Sequence, residues 1–136
     1  MIIVLDTNIL VAGILKPYSN SASILRLVAE GIVQVTYDLR IFTEYRDVLT
    51  RAKFNFPHEA INDFLAQLER EGILVSSRPL KIHLPDPDDE PFLEVALASR
   101  ALAIITGNKR HFPRDNYEKI KISSPAEFVY YLRKRL

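Results

Sequence analysis

The chain has 136 residues, a length that favours one domain, and its 48% hydrophobic content is enough for a buried core. A charged fraction of 26%, with 4 glycines and 8 prolines, excludes a disordered, collagenous or low-complexity chain. The formal charge of +1, from 18 basic and 17 acidic residues, excludes a polycation held to nucleic acid by bulk charge alone.

The first predicted element is a buried parallel strand, Ile2–Asp6, a compact apolar run ending on an acid. Asn8–Leu15 and Ser21–Ala29 read as helices, broken apart by Pro17 and ended by Gly31. Val33–Thr36 is a second short strand. Asp38 is placed to cap a helix over Leu39–Arg51. Pro57–Glu71 is the clearest helix, with Ile61, Phe64, Leu65 and Leu68 on one face and Gly72 as its stop. Ile73–Ser76 reads as a strand, and Pro79–Pro87 as an extended, proline-rich segment. A helix follows over Asp89–Arg100, with Phe92, Val95, Ala96 and Ser99 on one face. Ala103–Thr106 is another buried strand, and Lys121–Ser123 a last one. Ser124-Pro125 then opens a helix running to the C-terminus. Strands alternating with longer helices predict an α/β fold with a largely parallel sheet, as a single domain over 1–136.

In such folds, sites form outside the carboxyl ends of the strands. Asp6, Thr7 and Asn8 follow the first strand, and Thr106, Gly107 and Asn108 close the strand at Ala103. Asp6 could be an ordinary helix cap, but a carboxylate at the mouth of a buried strand is costly unless paired or bound to a cation. Glu44 sits at the edge of the apolar stripe of its helix, with Arg40 four residues earlier as its ordinary surface partner. Segment 85–94 carries five acids and no base. Asp88 or Asp89 would cap the following helix, which leaves the other carboxylates unexplained. Repelling carboxylates become favourable around a divalent cation, and hard oxygen ligands suit Mg²⁺ or Mn²⁺.

Other chemistries have less support. With no cysteine there is neither a disulfide framework nor a zinc-thiolate site. His58, His83 and His111 are scattered without metal-ligand spacing and read as surface or structural residues. The longest apolar run, Ile9–Leu15, has seven residues, against about 20 for a membrane span. The N-terminal MIIVLDTN has no basic region before its apolar run, so a soluble cytoplasmic protein is expected. A phosphoacceptor receiver domain is disfavoured, because no central strand ends in Asp.

Four segments carry a resemblance: VLDTNIL (4–10), TEYRDVL (43–49), DPDDEPFLEVALASRA (86–101) and IITGNKRHFP (104–113). In this order they resemble the PIN domain family, and the last two are most similar to its toxin components of toxin–antitoxin systems. The resemblance implies a three-layer α/β/α sandwich around a central parallel sheet of about four or five strands. It implies metal-dependent endoribonuclease activity with Mg²⁺ or Mn²⁺. Asp6, Glu44 and Asp89 fall on the catalytic, metal-binding acids, with Asp88 as the near competitor of Asp89. Thr7, Asn8 and Thr106 fall in supporting positions. A frequent fourth acid is replaced by Asn108, which supplies no charge, and Asp115 is too distant to substitute. The implied partners are RNA, a cognate antitoxin protein and a second copy of the chain. Segment 109–136 holds eight bases against three acids, and Lys109, Arg110 and Arg114 lie where an RNA backbone could pass. Asn108 also leaves open a non-catalytic PIN-like module that binds RNA or protein.

Overall fold

The structure, a computed structural model, describes residues 1–135. Its elements are β1 (Ile2–Leu5), α1 (Thr7–Leu15), α2 (Asn20–Ala29), β2 (Gln34–Tyr37), α3 (Leu39–Leu49) and α4 (His58–Glu71). They continue with β3 (Ile73–Leu74), α5 (Glu90–Ser99), β4 (Ala103–Ile105), β5 (Asn116–Tyr117), β6 (Ile120–Ser123) and α6 (Pro125–Arg133). Every helix expected from the sequence is present, with ends shifted by a residue or two as terminal turns fray. The last helix stops at Arg133 and is not continuous to the C-terminus; Leu136 lies outside the described residues.

Six strands form one sheet in the order β3-β2-β1-β4-β6-β5. All pairs are parallel except β5 with β6. Two of these strands, β3 and β5, are two-residue edge pieces, so the sheet is wider than the four or five strands implied above. The expected strand over Ile73–Ser76 is cut to two residues because the chain leaves the sheet for the proline-rich strap. With helices packed on both sides of the sheet, the chain is a three-layer α/β/α sandwich. None of the described helices is long and apolar enough to cross a membrane.

The core follows from the apolar runs. Ile3, Val4 and Leu5 of β1 and Ile104 and Ile105 of β4 are fully buried in the middle of the sheet. Helix α5 lays Phe92, Leu93, Val95 and Ala96 onto β1, β2 and β4. Gly72, at the end of α4, sits where a Cβ would lie 2.8 Å from the Val35 carbonyl and 2.6 Å from that of Leu68. Only glycine lets the chain enter β3 so close to β2.

The strand order reverses beside β1: β2 lies on one side and β4 on the other. A crevice opens at such a switch point, outside the carboxyl ends of the two strands. Asp6 and Thr106 are the first residues beyond those ends.

Candidate functional site

Leu5 pairs with Ile105, so Asp6 and Thr106 leave the sheet side by side. The Asp6 amide donates to the Ile105 carbonyl at 2.9 Å, which fixes the backbone at this point. Asp6 stands at the N-cap position of α1 but makes no side-chain capping bond. Its Oδ2 instead accepts from the Thr106 hydroxyl at 2.7 Å, and from the Asn8 amide at 3.4 Å. Asn8 Oδ1 in turn accepts from Gly107 N at 3.2 Å, tying the two strand-end loops together. Thr7 donates a short hydrogen bond to Glu44 Oε2. Glu44 thus stands against the first turn of α1 instead of pairing with Arg40. Arg40 bonds to Asp38 at 2.6 Å and Glu94 at 2.8 Å.

The acidic run divides by role. Asp86 accepts from Asp88 N at 2.9 Å and caps a 3₁₀ turn over Pro87–Asp89, while Asp89 stands at the expected N-cap position of α5 but makes no side-chain capping bond. Glu90 accepts from Leu84 N and Glu94 from Leu80 N, both at 3.1 Å, so these two carboxylates pin the proline-rich strap to α5. Asp88 is exposed, and its charge is felt by Glu44. Asp89 is 8% exposed and points into the crevice.

Among the described residues, one cluster of His, Asp or Glu brings its ligand atoms within 4.8 Å of one another: Asp6, Asp89 and His111. Glu44 is not one of that group, but its charge is felt by Asp89 and it feels those of Asp6 and Asp88. Histidine spacing alone predicts a surface or structural His111, whereas the fold brings its ring to Asp6 and Asp89. The signal was its place three residues past Asn108, in a turn that follows β4. Asn108 does not turn its own carbonyl toward the acids. It caps the 3₁₀ turn Lys109–His111 by accepting from Arg110 N at 3.2 Å, and its Nδ2 lies 3.0 Å from His111 Nε2.

The bases expected to meet substrate are dispersed. Lys109 pairs with Glu127 at 3.0 Å, and Arg114 stacks 5.6 Å over the Tyr117 ring beside a different cleft, lined also by Arg78 and Lys81. Arg110 is exposed next to the crevice loop. At the C-terminal end, Lys134 and Arg135 lie over Tyr130 and Tyr131.

Burial raises all three crevice carboxyls. Asp6 is pushed up by desolvation, opposed by the Thr106 hydroxyl and His111. Glu44 is raised by desolvation and by Asp6 and Asp88, with the Thr7 hydroxyl and Arg51 acting the other way. Asp89 reaches about 6, through desolvation and repulsion from Asp6, Asp86 and Glu44 that His111 only partly offsets. Asp89 Oδ2 and His111 Nδ1 are both buried without a hydrogen-bond partner. They are 3.2 Å apart, within ion-pair distance but not aligned as a hydrogen bond. Buried, unpartnered donor atoms among mutually repelling carboxylates fit a divalent cation, which would reverse both the desolvation cost and the repulsion.

A family profile described as PIN domain matches residues 2–110. No curated protein matches the chain. In fold the chain is similar to one from the crystal structure of VapBC2 from Rickettsia felis bound to a DNA fragment from its promoter. The TM-score is 0.57 at 17% identity, over 91% of this chain and 98% of that one.

Proposed function

Because the chain belongs to the PIN domain family, we propose that it is a divalent-metal-dependent endoribonuclease, acting as the toxin of a type II toxin–antitoxin pair. The observation that carries this reading is the convergence of Asp6 and Asp89 at the switch point, with a buried Asp89 oxygen that has no partner. The VapBC2 likeness supports a toxin-type fold, and a cognate antitoxin is the corresponding partner. A second copy of the chain is a further candidate partner, and a cytoplasmic location is the compartment this reading assigns.

Asp6, Glu44 and Asp89 would hold Mg²⁺ or Mn²⁺, Glu44 through water. Such an ion supplies Lewis acidity at the phosphate and lowers the pKa of attacking water. The chain's own groups prepare that chemistry. The Thr106 and Asn8 side chains fix Asp6 Oδ2 in one orientation, so the carboxylate need not reorganise. Thr7 holds Glu44 close enough to Asp6 to feel its charge, where its carboxylate could accept a proton from the attacking water. Asp88 is the exposed acid beside them. Arg110, exposed beside the crevice loop, would give the RNA backbone a cationic contact, whereas Lys109 is engaged by Glu127 and Arg114 lies beside a different cleft. The reaction is hydrolysis of a phosphodiester in single-stranded or looped RNA, leaving a 5′-phosphate.

The test is cleavage of structured and unstructured RNAs with Mg²⁺ or Mn²⁺, with and without chelator, by the wild type and Asp6→Asn. Metal-dependent cleavage lost in Asp6→Asn is expected. Cleavage that survives this substitution, or none from any RNA, overturns the nuclease reading. In the second case, retained RNA binding would favour the non-catalytic module to which Asn108 points.

A further inference from the structure

Resting on the metal-dependent reading above, we propose that His111 is a third ligand of the cation through Nδ1. It completes a site of two carboxylates and one imidazole that prefers a transition ion such as Co²⁺ or Mn²⁺ to Mg²⁺. The imidazole is held for this task. It ends the short turn Lys109–His111, whose next residue, Phe112, is buried in the core at 1% exposure. The other end of the turn is tied to α6 by the Lys109–Glu127 pair. Although 40% of the His111 side chain is exposed, its Nδ1 is buried and turned toward Asp6 and Asp89.

An ordinary His–Asp ion pair would align the ring N–H with a carboxylate oxygen. Here the two atoms approach to 3.2 Å without that alignment, and neither finds another partner. Two neighbouring ligands of one ion, each about 2.1 Å from it, stand roughly 3 Å apart, which matches this spacing. Asn108 Nδ2, a donor, lies 3.0 Å from the outer ring nitrogen, so in the metal-free arrangement Nε2 accepts and Nδ1 carries the proton that a cation would displace. With Nδ1 on a cation, Nε2 carries the proton. The Asn108 carboxamide then turns over to offer Oδ1, giving up its bond from Arg110 N.

Ligand chemistry sets the preference. Oxygen-only sites suit Mg²⁺, which dehydrates reluctantly, whereas an imidazole nitrogen favours ions further along the series from Mn²⁺ to Co²⁺. A histidine in place of a third carboxylate also leaves the site with less negative charge, which costs affinity for a hard ion most.

The test is calorimetric titration of tag-free protein with MgCl₂ and with CoCl₂, with the visible absorption of bound Co²⁺ as a report of its ligand set, compared between wild type and His111→Ala. Wild type is expected to bind Co²⁺ at least about tenfold more tightly than Mg²⁺. His111→Ala should lose about tenfold or more for Co²⁺, alter its spectrum, and change Mg²⁺ binding by less than about threefold. His83→Ala, at an exposed histidine near Glu90, should change neither. Asp6→Asn should lose both ions. Co²⁺ binding that is equal in wild type and His111→Ala, or a loss equal for both ions, overturns the His111 assignment. If Asp6→Asn still abolishes binding, the metal-dependent reading stands without it. No saturable binding by wild type overturns both, and Co²⁺ retained by Asp6→Asn overturns the shared site. Metal-free His111→Ala should unfold within about 2 °C of wild type, since His111 lies on a partly exposed turn.

Discussion

The Thr106 hydroxyl donates to Asp6 Oδ2 at 2.7 Å and joins residues one hundred positions apart in the chain. The Thr106 Oγ1 also accepts from Asn108 N at 3.1 Å, so one buried hydroxyl orients an acid and starts the loop that carries His111. Thr106→Val keeps the shape and removes both bonds. It should cost about 1–3 kcal/mol, because Asp6 and the Asn108 amide lose a buried partner. It should also raise the Asp6 pKa further and weaken metal binding near neutrality. Denaturant unfolding and metal titration check this; unchanged values would show that another contact fixes Asp6.

Asp89 makes the metal-free protein pH-sensitive. Its pKa is about 6 when folded against 3.8 as the reference. The folded protein therefore keeps a proton that the unfolded chain has released between these values. This contribution to stability is lost as pH rises through that window. Asp89→Asn, which mimics the protonated acid, should match wild type near pH 4 and be about 1–2 kcal/mol more stable at pH 7. Unfolding curves at both pH values check the sign. Greater wild-type stability at pH 7 would mean the carboxylate is already compensated in the metal-free fold.

Metal binding should follow the same group. A cation needs the ionised Asp89, so the apparent affinity for Mn²⁺ should fall as pH drops below about 6. Titrations in buffers of different ionisation enthalpy should register proton release on binding near pH 6. Affinity flat from pH 5 to 7 would remove Asp89 from the ligand set.

Glu94 separates strap from site. It accepts from Leu80 N at 3.1 Å and pairs with Arg40 at 2.8 Å. Glu94→Gln retains one acceptor but loses the charge, and should cost about 1–2 kcal/mol because Arg40 is half exposed and keeps Asp38. Metal affinity should stay within about twofold. A large drop in affinity would place the strap inside the functional unit.

Glu44 tests the acid that Thr7 holds. Glu44→Gln preserves an acceptor for Thr7 but removes a charge that Asp6 and Asp88 repel. Stability of the metal-free protein should be equal or slightly higher, while RNA cleavage falls about tenfold or more. Undiminished cleavage would reduce Glu44 to a structural partner of Thr7.

Much of this was legible in the sequence because it is governed by nearby residues. The apolar run Ile2–Leu5 makes a buried strand, Asp38 caps α3 by accepting from Ile41 N, and Ser124 opens α6 with a capping box. The α/β order and the position of Asp6 at a strand mouth follow from the same signals. What each polar side chain does there was settled only by long-range packing. Five acids in one segment look alike in sequence. The fold gives Asp86 a turn to cap, Glu90 and Glu94 a strap to hold, and Asp89 a burial without a partner. Near-equal counts of 18 bases and 17 acids could not show that Lys109 turns away to Glu127. Nor could spacing bring His111 to Asp6 and Asp89, because that contact depends on β4 lying beside β1 and on the turn that follows it. Helix caps and apolar periodicity act over a few residues, whereas the partners of a charge are chosen by the order of strands in the sheet.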